Sequence, residues 1–141
     1  MADLNWHVHV YAEGYRIAAL TDQLLAAEVN IVIDHYGNPV PALGEASPGL
    51  QAALRAIGSG RGWVKVSAPY RSVDCDHAAL AARLLAEGGP ERVLFASDWP
   101  FVGHEGKVTY RQMVESFERV IPDAGVREQI GRAAARLYKF A

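Results

Sequence analysis

The sequence has a single cysteine, Cys75, in 141 residues, which excludes an internal disulfide. That thiol sits in Asp74-Cys75-Asp76, where two flanking carboxylates disfavour the thiolate, so it reads as inert. Neither sign of charge is in excess: 14 Lys and Arg against 16 Asp and Glu leave a formal net charge of -2. There is thus no electrostatic reason to expect nucleic acid or an anionic membrane as partner. No apolar run approaches the ~20 residues that span a bilayer. The opening Met1-Ala2-Asp3-Leu4-Asn5-Trp6 has no basic segment leading into an apolar one, so no signal peptide is expected and the default expectation is a cytoplasmic protein. Solenoid repeats, low-complexity segments and interdomain linkers are lacking too.

What is present is ordinary for one globular domain. Half the residues are hydrophobic and 21% are charged, in a chain long enough to bury a core. Four short apolar segments read as strands: Trp6–Tyr11, Asn30–His35, Gly62–Ala68 and Arg92–Asp98. Each is followed by residues at helical spacing, in Ile17–Ala27, Leu50–Ile57, His77–Glu87, and the pair Tyr110–Val120 and Val126–Tyr138. Asp76 is placed as an N-cap, and Gly58, Gly60 and Gly88-Gly89-Pro90 as helix stops. Pro39 to Pro48 reads as a long loop. Strands alternating with helices point to an α/β fold with a parallel sheet.

Neighbouring strand residues point to opposite faces. His7, His9 and Tyr11 share one face of the first strand. Ile31, Ile33 and His35 share one of the second, Trp63, Lys65 and Ser67 one of the third, and Leu94, Ala96 and Asp98 one of the fourth. The faces carrying histidine, tyrosine, lysine and aspartate read as the inside of a barrel near its functional rim.

Asp98 ends the apolar run Val93-Leu94-Phe95-Ala96, with Trp99-Pro100 as the stop. It reads as a general base or acid, as a metal ligand, or as a carboxylate capping the following loop. His35, before a Gly/Pro loop, can ligate a metal, hold a substrate oxygen, or do neither. Lys65, inside a buried strand, must be paired or reach a polar cavity. Tyr70 and Arg71 lie just beyond the strand and can bind a substrate carboxylate; the alternative is a structural Lys65–carboxylate pair and a surface Arg71. His7 and His9 project to one side and can share a metal, although the pair alone is a weak signal. His77 and His104 read as surface residues.

Three segments in order, Asp34-His35-Tyr36-Gly37, Trp63 to Arg71 and Ser97-Asp98-Trp99-Pro100-Phe101, resemble the amidohydrolase-related TIM-barrel hydrolases, the branch that includes 2-pyrone-4,6-dicarboxylate lactonase. Trp6 to Tyr11 and Ala134 to Tyr138 also fit. The resemblance implies a single domain over 1–141 that is the C-terminal half of a (β/α)8 barrel, strands five to eight, with its site at the C-terminal strand ends. Placed on the fifth strand, His7 and His9 are then not the family's first-strand metal pair.

The resemblance further implies that Asp98 activates water and that His35 polarises the substrate carbonyl, or that both bind a divalent metal, zinc or manganese. Tyr11, Tyr70, Arg71, Lys65 and Ser67 would bind substrate, with Arg71 facing a carboxylate. The implied reaction is hydrolysis of a lactone or similar cyclic ester. Two alternatives are a metal-dependent decarboxylase of the same superfamily and a catalytically silent half-barrel that serves as an association module. Four strands cannot close the barrel. The expectation is therefore a homo-oligomer, a complementing N-terminal half, or a truncated chain beginning at an internal Met1.

Overall fold

The computed structural model of the chain describes residues 6–140. Four strands, β1 (His7–Val10), β2 (Asn30–Ile33), β3 (Gly62–Val66) and β4 (Val93–Phe95), form one parallel sheet in the order β1-β2-β3-β4. Helices α1 (Gly14–Ala26), α2 (Pro48–Gly58) and α3 (His77–Gly88) follow the first three strands. Helices α4 (Tyr110–Val120) and α5 (Ala124–Tyr138) follow the fourth. Parallel neighbours that are consecutive in the chain require a long crossover, and α1, α2 and α3 each supply one. No helix among the described residues is long and apolar enough to cross a membrane.

Local chemistry sets the helix ends. Asp76 Oδ1 accepts a 3.0 Å hydrogen bond from the Ala79 amide, and Gly89, at φ +65°, follows the end of α3. At α4 the Thr109 hydroxyl accepts from the Gln112 amide while the Gln112 side chain accepts from the Thr109 amide, a reciprocal cap. Asp123 caps Val126, which starts α5 two residues earlier than periodicity predicts. Within the expected loop, Pro41–Ala46 forms a short 3-10 turn.

Register divides the sheet into two faces. Val10, Ile33, Val64 and Val93 are paired across all four strands. With Ile31 and Val66 they pack under the helices against Ile17, Leu50, Ile57, Leu80 and Leu84, all buried. His9, Val32 and Trp63 are paired on the opposite face, which also carries Lys65. The expected face of the second strand is therefore reversed: Ile31 and Ile33 lie on the helix side. All four strands are also shorter than expected. β2 stops at Ile33, β3 at Val66 and β4 at Phe95, so His35, Ser67 and Asp98 stand in the loops beyond the strand ends.

On the face away from the helices, His7 and His9 rings lie 5.0 Å apart and both contact Tyr138 at the end of α5, at 5.3 and 5.9 Å. Lys65 Nζ is 2.8 Å from Asp34 Oδ1 and 3.0 Å from His9 Nδ1.

Candidate functional site

Three chain reversals at the C-terminal ends of β2, β3 and β4 build the site. After Asp34, residues His35, Tyr36, Gly37 and Asn38 all take positive φ, at 51°, 56°, 80° and 53°. Ala68 (φ 49°) and Asp98 (φ 64°) do the same beyond β3 and β4. Left-handed backbone at a non-glycine residue costs roughly 1–3 kcal/mol and persists where the surroundings over-determine it. The His35 turn is held by Gly37 N–H to Asp34 O, Asn38 N–H to His35 O, and the Asn38 amide to Ala12 O. It turns His35 back over the strand ends, and this is how His35 reaches a site its strand parity does not provide.

Asp98 lies at the centre. Its Oδ2 accepts from the Tyr70 hydroxyl at 2.5 Å and from Arg71 Nε at 2.7 Å. Its Oδ1 lies 3.4 Å from His35 Nε2. The loop-capping role considered for Asp98 falls instead to Ser97, whose hydroxyl accepts from the Trp99 amide at 3.2 Å. Arg71 also donates from Nη2 to Val102 O and lies over the rings of Tyr70 and Tyr11. The Tyr11 ring meets His35 edge-on at 5.0 Å. His35 and Ser67 are buried, and His35 Nδ1 is 2.8 Å from Ser67 Oγ.

The structure thus brings Asp98, His35, Tyr11, Tyr70, Arg71 and Ser67 together. Arg71 is not a surface residue; its side chain is 17% exposed and tied to Asp98. Lys65 instead sits two residues before Ser67, paired with Asp34. That carboxylate had no role assigned from sequence. The signal that could have found it is a charge at the end of an apolar strand, beside a strand carrying an opposite charge. His77 and His104 are not simple surface residues either. His77 Nε2 is 3.0 Å from Ser72 Oγ, and the His104 ring lies 4.8 Å from that of Tyr70.

Electrostatics follow from these contacts. Burial alone would raise the Asp98 carboxyl, but hydrogen bonds from Tyr70 and Arg71, with the Arg71 charge, outweigh it and hold Asp98 below the usual carboxylate value. Burial, then the bond to Asp98, push the Tyr70 hydroxyl up to about 12, so it stays a donor at neutral pH. Burial lowers His35 more than Asp98 and Asp34 raise it, which favours the neutral imidazole. Burial is also the leading cause of the raised Cys75 thiol, with Asp74 a lesser one.

These shifts predict a pH dependence. His7, His9, His35 and His77 all lie below their ordinary value of 6.5, burial leading in each. The unfolded chain then takes up protons that the folded chain refuses, so stability is full above 6.5 and falls as pH drops below it. Asp98 adds a second loss below 3.8. Denaturant midpoints across this range should decline, and a flat profile from pH 7.5 to 5 would refute the assignment.

Comparison with known proteins places this geometry. A family model for amidohydrolases matches residues 1–140. The chain belongs to the amidohydrolase family. A 2-pyrone-4,6-dicarboxylate hydrolase of Comamonas testosteroni is 32% identical over 71% of this chain and 37% of its own. A 4-sulfomuconolactone hydrolase of Rhizobium radiobacter is 26% identical over 91% of this chain and 45% of its own. The solved structure of a probable 2-pyrone-4,6-dicarboxylic acid hydrolase from Acinetobacter baumannii, with citric acid bound, superposes at a TM-score of 0.83. It is 27% identical, over 98% of this chain and 54% of that one. The amidohydrolase chain described here therefore spans less than half the length of the two curated relatives and about half of the solved one. Its four βα units form half of a TIM barrel.

The divalent metal that the family resemblance implies can be weighed against the donors present. A catalytic zinc takes three protein ligands. Here His35 Nε2 and Asp98 Oδ1 face one another, while Asp98 Oδ2 already pairs with the Arg71 cation. Among the described residues no group of three or more His, Cys, Asp or Glu is arranged to hold a metal. The described residues of this chain do not by themselves fit a metal site.

Proposed function

We propose that this chain supplies the water-activating half of a lactone hydrolase. The observation that carries the reading is the division of labour at Asp98: Oδ2 is held by Tyr70 and Arg71, and Oδ1 is turned toward His35. An ionised carboxylate with one fixed oxygen and one oxygen open beside a donor suits general-base catalysis. Water placed between Asp98 Oδ1 and a lactone carbonyl gives its proton to Oδ1 as its oxygen attacks the carbonyl carbon. His35 Nε2–H donates to the carbonyl oxygen, where negative charge develops. The tetrahedral adduct then collapses, the ring oxygen leaves, and Asp98 returns the proton to it.

Arg71 Nε and Nη2 are committed to Asp98 and Val102, so Nη1 is the group that faces a substrate carboxylate, with Tyr11 and Tyr70 as flanking walls. A carboxylated lactone fits this cation. The citric acid held by the Acinetobacter relative and the dicarboxylate and lactone in the relatives' names support the same substrate class. Lys65, paired with Asp34, supports the barrel interior rather than the substrate. No feature of the site favours the decarboxylase.

In this reading the strands are five to eight of the barrel, in a cytoplasmic enzyme. The outer edges of β1 and β4 have no partner strand among the described residues, and unpaired edges favour strand addition. The partner is a complementing four-strand half. The test is lactone hydrolysis by the chain assembled with a first half-barrel from a relative. Ring opening of a carboxylated lactone above the uncatalysed rate is expected, and none of it with the neutral ester analogue. Equal turnover of both, or of neither, counts against the reading.

A further inference from the structure

Ser67, which the family resemblance groups with the substrate-binding residues, has its hydroxyl beside the His35 ring. The residue is 3% exposed, and among the described residues its hydroxyl partner is His35 Nδ1 at 2.8 Å. It lies behind the imidazole, on the side away from Asp98. A neutral imidazole carries its proton on one nitrogen and accepts on the other. His35 Nε2 looks at Asp98 Oδ1, which offers only lone pairs while Asp98 is ionised. With the proton on Nδ1, lone pairs on Nε2 and Oδ1 would face each other at 3.4 Å with no proton between them, and the imidazole is buried. With the proton on Nε2, that repulsion becomes an attraction. Nδ1 then needs a donor, and a buried serine hydroxyl, free to rotate its proton, is the group that stands there.

We propose that Ser67 is a positioning residue that donates to His35 Nδ1 and fixes the imidazole as its Nε2–H tautomer. His35 then presents a donor, not a lone pair, toward Asp98 and toward a carbonyl oxygen bound beside it. The second consequence rests on the lactone reading above; the tautomer itself does not. The left-handed turn at His35 serves the same contact. Positive φ at His35 turns its side chain back from the loop beyond β2 to meet Ser67, which follows β3.

The tautomer is read directly by long-range proton–nitrogen NMR on the full chain with nitrogen-labelled histidine, at a pH above 7. The His35 signals are assigned as those missing from the His35→Gln spectrum. The expected result is a proton on Nε2 and the shift of an unprotonated, hydrogen-bonded Nδ1. In Ser67→Ala the pattern should move toward a mixture of both tautomers, and in Ser67→Thr, which keeps the hydroxyl, it should return. A proton on Nδ1 in the unsubstituted chain overturns the proposal, and that measurement stands even if Ser67→Ala does not fold. An unchanged His35 pattern in folded Ser67→Ala overturns it too. If the tautomer behaves as expected while the assembled barrel opens no lactone, the assignment of Ser67 holds and the functional reading fails.

Discussion

Asp98→Asn is expected to lower lactone turnover in the assembled barrel by about 10²–10⁴-fold, the usual contribution of a general base. The amide keeps the shape of the side chain and one acceptor oxygen, so the Tyr70 hydroxyl retains a partner. What it loses is the capacity to accept a proton from water. The loss should fall on kcat if, as proposed, Asp98 acts on the attacking water and not on the substrate carboxylate. An effect on KM alone would mean that Asp98 holds substrate and that the base is elsewhere. The substitution also leaves the Arg71 cation without its anion. The freed guanidinium is then available to a carboxylate ligand, so ligand affinity should hold or rise while turnover falls. A parallel fall in both would point to a collapsed site. The pH profile supplies a further check. Because Tyr70 and Arg71 hold Asp98 below the usual carboxylate value, the base stays ionised throughout the neutral range. Burial holds His35 below its ordinary value of 6.5, so an acidic limb lying between that value and the carboxylate range is assigned to His35 if it disappears in His35→Gln.

The fold was legible because it rests on patterns with strong physical causes. Apolar segments separated by helical spacing can satisfy their backbone and bury their faces only as βα units, and the four strands and five helices stand where that pattern puts them. The limits of each strand were not legible. Periodicity continues as far as side chains alternate, whereas the ladder ends where the backbone turns. Nothing in Ile33-Asp34-His35 announces that the chain leaves the sheet after Ile33, since positive φ is uncommon at any non-glycine residue, and an aromatic such as Tyr36 is not among the few types enriched there. Extending β2 to His35 then carries the parity error with it: counting back from the histidine puts Ile31 and Ile33 inside the barrel. Counting from the register puts Val32 there.

The site was legible in its members and not in their connections. Asp98, His35, Tyr70 and Arg71 are the groups whose chemistry stands out at strand ends, and they converge. Which group serves which is a matter of a few ångströms. Ser67 and Arg71 both read as substrate contacts, yet one lies behind His35 and the other spends its Nε on the Asp98 carboxylate. Lys65 needed a carboxylate, and the sequence offers several; only the pairing of β2 with β3 selects Asp34.

The glycines that position His35 make the second large effect. Gly49→Ala is expected to destabilise the chain by about 3 kcal/mol, at the upper end for overpacking. A Cβ on Gly49 would lie 1.8 Å from Gly37 O, and one on Gly37 would lie 2.4 Å from Gly49 O. Both obstacles are backbone, so no side chain can swing aside. Gly49 sits in the first turn of α2, and Gly37 is in the left-handed turn that carries His35. The chain can relieve the clash only by moving the helix start or that turn. Its displacement would draw His35 from Ser67 and Asp98. The variant should therefore lose both stability and the His35 Nε2–H signature. Gly131→Ala is the matched control, because it lies within α5 with nothing within 4 Å of the added carbon. There the gain in helix propensity should raise stability by about 1 kcal/mol and leave His35 unchanged. Denaturant midpoints for the two variants should thus move in opposite directions. If Gly49→Ala unfolds at the same midpoint as the unsubstituted chain, the close approach of α2 to the His35 turn is not what holds the site together.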